Sequence, residues 1–243
     1  MHGLWVAAGF LTRIPVGDVS RGGTVEVDTA KAVPWFPTIG LLIGAFHGST
    51  YFLAGQALES VVAAAIALAA SLLLTGAFHY DGLADIADAF GGGWNVEQRM
   101  EILKDSRLGT YGVASLSMAL IIEVAAVSQL SPATGFRALV VAHCLSRAAA
   151  LAAMVLAPTA GDGMGASYMG RLSTPTVSLS VLVAIAISAA IAQSRVLLAV
   201  VAALVAAVVV VTLAIRKIGG VNGDVLGAVT VVSGLAILVI FGV

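Results

Sequence analysis

Charge is the scarcest commodity in this chain. Of 243 residues, only 10% are Asp, Glu, Lys or Arg, against about 25% in soluble domains. Hydrophobic residues make up 60%, and mean hydropathy is +1.05. The shortage excludes a water-soluble globular domain and leaves an integral membrane protein. No long basic run is present, so nucleic acid is excluded as a partner. The single cysteine, Cys144, excludes an internal disulfide and reads as a packing residue. The first fifteen residues, MHGLWVAAGFLTRIP, lack both a basic leading segment and a small-residue cleavage site, and are read as mature protein. They are too short for a bilayer crossing of about 20 residues and suit an interfacial or re-entrant helix.

What is present is apolar sequence in bilayer-sized pieces. Spans are expected near 36–56, 58–80, 108–130, 136–158, 174–194, 196–215 and 225–243. This describes an all-α, polytopic transmembrane helical bundle of about seven spans, built as one domain over 1–243. Gly40, Gly44, His47, Gly48 and Gln56 dilute the first span, and small residues there permit close helix packing. With the N-terminus in the cytoplasm, nine cations fall on the inner side: Arg13, Arg21, Lys31, Arg99, Lys104, Arg107, Arg171, Arg216 and Lys217. Only Arg195 and Arg137 then lie outside, a clear positive-inside bias. The polar segments 9–35, 81–107, 159–173 and 216–224 share the inner face. The chemistry is expected there, with 1–35 as an interfacial segment and 81–107 as an acidic catalytic loop.

The segment GAFHYDGLADIADAFGGG, residues 76–93, breaks a run from Val61 to Tyr80 that has no charged side chain. On a helix turning about 100° per residue, Asp85 lies roughly 40° and Asp88 roughly 20° from Asp81. Three carboxylates on one narrow face repel each other unless a cation sits between them. Oxygen-only ligation suits Mg²⁺, or Mn²⁺, and such ions also take substrate phosphate. The alternative is a solvated polar helix end, although no Lys or Arg lies between 81 and 96. The glycines 82 and 91–93 allow sharp turns and close approach, or simply end a helix.

In the following stretch, NVEQRMEILKDSRLGTYG, Asn95 and Gln98 resemble a capping box, and Gly109 is placed to end the helix. Glu97, Glu101 and Asp105 would then recur on one face of a helix. They fit a salt-bridged surface helix, or a second carboxylate set with Lys104 and Arg107 on phosphate oxygens. Glu123, His143 and Arg147 lie inside expected spans, where ionisable groups are costly and usually paired. A Glu–His or Glu–Arg clamp is one reading; the other has Arg147 lining a cavity and binding substrate phosphate.

These motifs resemble the adenosylcobinamide-GDP ribazoletransferase, or cobalamin synthase, family. The resemblance is carried by FLTRIPV at 10–16, PWFPTIGLLIGA at 34–45, TGAFHYDGLADIADAFGG at 75–92 and EILKDSRLGTYG at 101–112. GRLSTP at 170–175 and GGVNGDVLGA at 219–228 extend it over nearly the whole chain. Asn222 departs from the threonine expected there. The resemblance implies an enzyme of a bacterial or archaeal cell membrane that acts late in cobalamin assembly. It would join adenosylcobinamide-GDP to α-ribazole, or to its 5′-phosphate, and release GMP with Mg²⁺. Association with other cobalamin-assembly enzymes would follow.

Within that frame Asp81, Asp85 and Asp88 are the first choice as metal ligands, with Glu101 or Asp105 completing the set. A carboxylate left off the metal, such as Asp105, would accept the proton of the attacking hydroxyl. Lys104, Arg107, Arg13 and Arg171 are candidates for the phosphates. His79 is a base or a phosphate contact, or else a structural histidine at a span end. Asp224 is placed to join the metal or bind a ribose. CDP-alcohol phosphotransferases also use a DG-led aspartate motif, but the arginine of their DGxxAR pattern is replaced here by Ile86. Prenyltransferases need two acidic motifs, and a cation-coupled transporter would carry its site near the midplane, often within repeated halves.

Overall fold

The structure, a computed structural model, describes residues 2–16, 29–161, 169 and 172–242. Among these the regular secondary structure is all helical, apart from one isolated parallel bridge between Thr159 and Val221. In chain order the helices are α1 (His2–Leu11), α2 (Thr29–Ala32), α3 (Phe36–Ala54), α4 (Ser60–Thr75), α5 (Phe78–Gly92) and α6 (Val96–Ile102). They continue as α7 (Thr110–Ser128), α8 (Pro132–Leu156), α9 (Thr174–Ala192), α10 (Val196–Ile218) and α11 (Gly223–Gly242). Short 3₁₀ turns precede α3 and join α9 to α10.

The seven expected spans are not reproduced as seven. By length and apolar character four stretches among the described residues qualify to cross a membrane: Thr110–Ser128, Pro132–Leu156, Thr174–Ile218 and Gly223–Gly242. A fifth is added if α4 and α5, bent by 90°, count as one broken span. The expected 58–80 helix therefore stops at Thr75. The expected 36–56 helix does form as α3, but its glycines and His47 leave it short of the apolar character of the others.

The stretch Thr174–Ile218 is 45 residues long and would measure roughly 68 Å if straight. It folds back instead. Val177 packs in one cluster with Leu151, and Ile218 in another with Ala150 and Ala153, so both outer ends lie beside the C-terminal half of α8. Ala192 and Ala199 share a third cluster with Ala138 and Leu139, near its N-terminal half. The reversal is at Gln193, whose φ is +53°.

Helix α8 is the centre of the bundle, with α3, α9, α10 and α11 packed around it. Its closest neighbour is α3, and the glycine stripe explains why. A Cβ on Gly40 would lie 2.4 Å from the His143 carbonyl oxygen, one on Gly44 2.7 Å from Val140 Cα, and one on Gly48 2.9 Å from Phe136. Glycines four residues apart form one helix face and let two backbones meet, the usual small-residue solution in a membrane. Tyr51, on the same face, is buried and donates to the Leu130 carbonyl oxygen at 2.7 Å.

Candidate active site

The aspartate helix is aimed by a bend. Gly76 (φ +66°) and Ala77 (φ +56°) are both left-handed, so α5 leaves α4 at a right angle. Gly76 suits this position twice over, because a Cβ would also lie 2.2 Å from Arg13 Nε. Ala77 has no such freedom, and a non-glycine residue in this region costs about 1–2 kcal/mol. Arg13 closes the corner, its backbone N–H donating to the Leu74 carbonyl oxygen at 2.7 Å. The restart of the helix after the span thus runs from Phe78 to Gly92, and it carries Asp81, Asp85 and Asp88.

Across the corner lies the N-terminus of α11. A Cβ on Gly82 would be 2.9 Å from the Asp224 carbonyl oxygen, and one on Gly227 3.2 Å from that of His79. Two glycines therefore let α5 and α11 cross almost backbone to backbone. Asp224 is fixed by Asn222, whose amide donates to its carboxylate at 3.2 Å and whose Oδ1 accepts from Val225 N–H at 3.0 Å. Position 222 is thus a helix cap, a role that threonine also fills. Burial first, then the charges of Asp81, Asp224 and Asp88, pushes the Asp85 carboxyl up to about 6. Asp81 is exposed and Asp85 partly so.

Asp88 does something different. It is buried, and both carboxylate oxygens are engaged by the start of α7: Oδ2 accepts from Gly109 N–H at 2.7 Å and Oδ1 from Gly112 N–H at 2.8 Å. A carboxylate satisfying the free N–H groups of a helix start is favoured by hydrogen bonding and by the helix dipole. Any Cβ at 109 or 112 would intrude to 2.5 or 2.2 Å from these oxygens, and one at Gly91 would strike the Tyr111 ring at 2.5 Å. The two glycine-rich motifs are the halves of one joint.

The second carboxylate stretch departs from expectation. The Asn95 cap is as read, its Oδ1 accepting from Gln98 N–H at 2.9 Å while Gln98 Oε1 accepts from Trp94 N–H at 3.0 Å. The helix stops at Ile102, however, and Gly109 begins α7 rather than ending α6. Asp105 turns its carboxylate onto the Arg107 backbone N–H at 3.1 Å and onto its guanidinium at 2.5–3.0 Å. This local turn competes with helix, so Glu97, Glu101 and Asp105 do not form one helical face. The Arg107 hydrogen bonds hold the half-buried Asp105 carboxyl down at about 2. Glu101 and Lys104 are exposed, and neither is among the charges acting on Asp85. Arg99 ties this layer down instead, donating to the carbonyl oxygens of Gly93, Trp94 and Lys217 at 2.9–3.1 Å.

Behind the corner, buried polar groups form a chain inside the bundle. Tyr80 donates to Glu123 Oε2, and Glu123 Oε1 lies 3.9 Å from His47 Nδ1. The His47 ring meets His143 at 3.1 Å, and Arg147 Nη1 meets the other His143 nitrogen at 2.9 Å. Glu123 is therefore held by Tyr80 and not clamped directly to His143 or Arg147. Sequence reasoning missed Tyr80 and His47; only the buried polar character of the latter hinted at a partner. Arg147 is 3% exposed, and its Nε has no partner among the described residues.

Two cavities meet at this chain. One, of about 50 Å³, is bordered by Tyr80, Glu123, His143 and Arg147. The other, of about 290 Å³, lies between α1, α3, α5, α8 and α11, with Phe10, Phe36 and Phe78 on its walls and Gly223 at its rim. His79 and Arg147 border both. Of the remaining candidates, Arg13 sits at the bend and Arg171 lies outside the described residues. Among the described residues no three carboxylate, imidazole or thiol groups form a complete metal site.

Known sequences account for this arrangement. A profile described as cobalamin-5-phosphate synthase matches residues 3–242. An adenosylcobinamide-GDP ribazoletransferase from Shewanella pealeana is 36% identical over 233 residues, covering 92% of this chain and 88% of the relative. One from Bradyrhizobium diazoefficiens is 36% identical over 243 residues, covering 98% and 92%. One from Ralstonia pickettii is 35% identical over 253 residues, covering 97% and 93%. No solved structure matches the chain. A match that runs through the bent aspartate helix, the α5–α11 crossing and every packed helix between them leaves the CDP-alcohol, prenyl and transporter readings without support: the chain belongs to the cobalamin-5-phosphate synthase family.

Proposed function

We propose that this multi-pass membrane protein is an adenosylcobinamide-GDP ribazoletransferase. A ribose hydroxyl of α-ribazole, or of its 5′-phosphate, attacks the phosphorus attached to cobinamide. The bond from that phosphorus to the bridging oxygen breaks, and GMP leaves. The product is adenosylcobalamin or its 5′-phosphate. The observation that supports the reading is the approach of the Asp224 backbone to the helix that carries Asp81 and Asp85, at the α5–α11 crossing, next to Gly223 of the larger cavity.

The donor set fits a magnesium ion. It is all oxygen, it is crowded enough to push Asp85 up to about 6, and it is incomplete in a way that substrate oxygens would finish. When bound, such an ion supplies charge neutralisation for the diphosphate and its leaving group. Asp81 and Asp85 would hold it, while Asp88 keeps the helix joint rigid beneath them. Asp224, held by Asn222, is assigned to take the proton of the attacking hydroxyl. Asp105 is the weaker base, because its Arg107 partner holds it at about 2 and general bases act best nearer the working pH. Lys104 and Arg107 are exposed on the same connecting segment and are assigned to phosphate oxygens. Phosphoryl transfer depends mainly on such positioning and charge.

The excess of cations in the loops around 99–107 and 216–217 supports a cytoplasmic active site. The test is an assay in liposomes with adenosylcobinamide-GDP, α-ribazole and Mg²⁺, alongside Asp81→Asn. Metal-dependent corrinoid product from the wild type, lost in the variant, is the expected result. Product at an unchanged rate in Asp81→Asn moves the metal elsewhere. No product from folded wild type sinks the reading.

A further inference from the structure

We propose that the 290 Å³ cavity seats the heteroaromatic base of the acceptor nucleoside, with Arg147 donating to its free ring nitrogen. This rests on the transferase reading and assigns its second substrate a place.

The walls are the first argument. Phe10 stacks on Phe36 at 5.5 Å and 12°, and meets Phe78 edge-on at 5.2 Å. Phe10 and Phe78 are 45% and 43% exposed, so ring surface is available to an incoming planar group. Aromatic rings gain from offset-stacked and edge-on contacts beyond the area they bury. Size is the second. A volume of 290 Å³ lies at the lower edge of the roughly 300–1,000 Å³ of small-molecule sites. It admits a bicyclic base and excludes a corrin macrocycle.

Polarity is the third. The cavity is mainly apolar, but Arg147 borders it and is the only Lys or Arg among its described lining residues. A charged donor in apolar surroundings favours a hydrogen-bond acceptor on the ligand. A benzimidazole bonded to ribose through one ring nitrogen keeps exactly one such acceptor, the other ring nitrogen. The rim is the fourth. Gly223 is exposed there and is bonded to Asp224, so a base held within the cavity puts its sugar at the acidic crossing.

The test uses the full chain in detergent with Mg²⁺. Binding of radiolabelled α-ribazole is measured by equilibrium dialysis, with and without adenosylcobinamide-GDP, beside steady-state kinetics. Ala150→Phe fills the cavity and Phe78→Ala strips its wall, the second at a half-exposed site. The proposal expects Kd and KM for α-ribazole to rise at least tenfold in both, with KM for adenosylcobinamide-GDP within twofold of wild type. An α-riboside of indole, which lacks the acceptor nitrogen, should bind at least tenfold more weakly to wild type and no more weakly than α-ribazole to Arg147→Met. Wild-type affinity for α-ribazole in folded Phe78→Ala overturns the proposal, as does a rise confined to adenosylcobinamide-GDP. If wild type binds α-ribazole through this cavity yet forms no product, the seat stands and the transferase reading fails.

Discussion

Gly82 of α5 lies against the backbone of Asp224 at the start of α11, so close that a Cβ would come within 2.9 Å of its carbonyl oxygen. That contact joins two acidic motifs separated by 142 residues of sequence. Without it, Asp224 would not act on Asp85 at all.

Gly82→Ala should therefore damage activity while leaving the bundle folded. Alanine improves intrinsic helix propensity by about 1 kcal/mol, but here the obstacle is rigid backbone. A drop of at least tenfold in kcat/KM, equivalent to about 1.4 kcal/mol of barrier, should accompany unchanged helical circular dichroism. Wild-type kcat/KM in this variant would show that the crossing does not set the geometry of the acids.

Asp88→Ala should lower stability whether or not Mg²⁺ is present. It orphans the N–H groups of Gly109 and Gly112, each at a cost of about 1–3 kcal/mol. Thermal unfolding in detergent should show a fall in Tm that added Mg²⁺ does not enlarge. A variant of unchanged apo stability that has lost only its Mg²⁺-dependent stabilisation would make Asp88 a metal ligand instead of a helix cap.

Asp85→Asn should stabilise the metal-free protein at neutral pH and do nothing at low pH. The folded carboxyl titrates at about 6, raised from 3.8. At low pH it is protonated in both states and costs nothing. Between about pH 4 and 6 the unfolded state ionises while the folded carboxyl, crowded by Asp81, Asp224 and Asp88, keeps its proton, so wild-type stability falls relative to the variant and levels off above 6. Unfolding measured in EDTA from pH 4 to 8 should show the two curves separating upward from pH 4. Parallel curves would mean that the acids do not crowd Asp85.

Gly44→Val should break the α3–α8 contact. Its Cβ would lie 2.7 Å from Val140 Cα, and overpacking of this kind costs about 1–3 kcal/mol or more. The denaturant midpoint should fall, with the glycines at 40 and 48 giving similar losses. An unchanged midpoint would show that the helices can separate freely.

Membrane residence, the helical class and most helix positions follow from the sequence alone, because each apolar run carries its own length and hydropathy. The helices read at 108–130, 174–194 and 225–243 form as Thr110–Ser128, Thr174–Ala192 and Gly223–Gly242. Family membership was legible for the same reason: its motifs are contiguous strings. The break in the second expected span was not, since hydropathy does not report a 90° turn at Gly76–Ala77. The end of α6 was missed because an Asp105–Arg107 turn competes with helix locally.

In the site, the shared face of Asp81, Asp85 and Asp88 was visible from helical period, yet period cannot say what faces it. Only the tertiary structure gives Asp88 to the start of α7, brings Asp224 to Asp85, and threads Tyr80 and His47 into one buried polar chain with Glu123, His143 and Arg147. The physical reason is that these relationships are made by contact between distant helices. Contact of that kind depends on where glycines let backbones touch, and a linear string records the glycine without recording its neighbour.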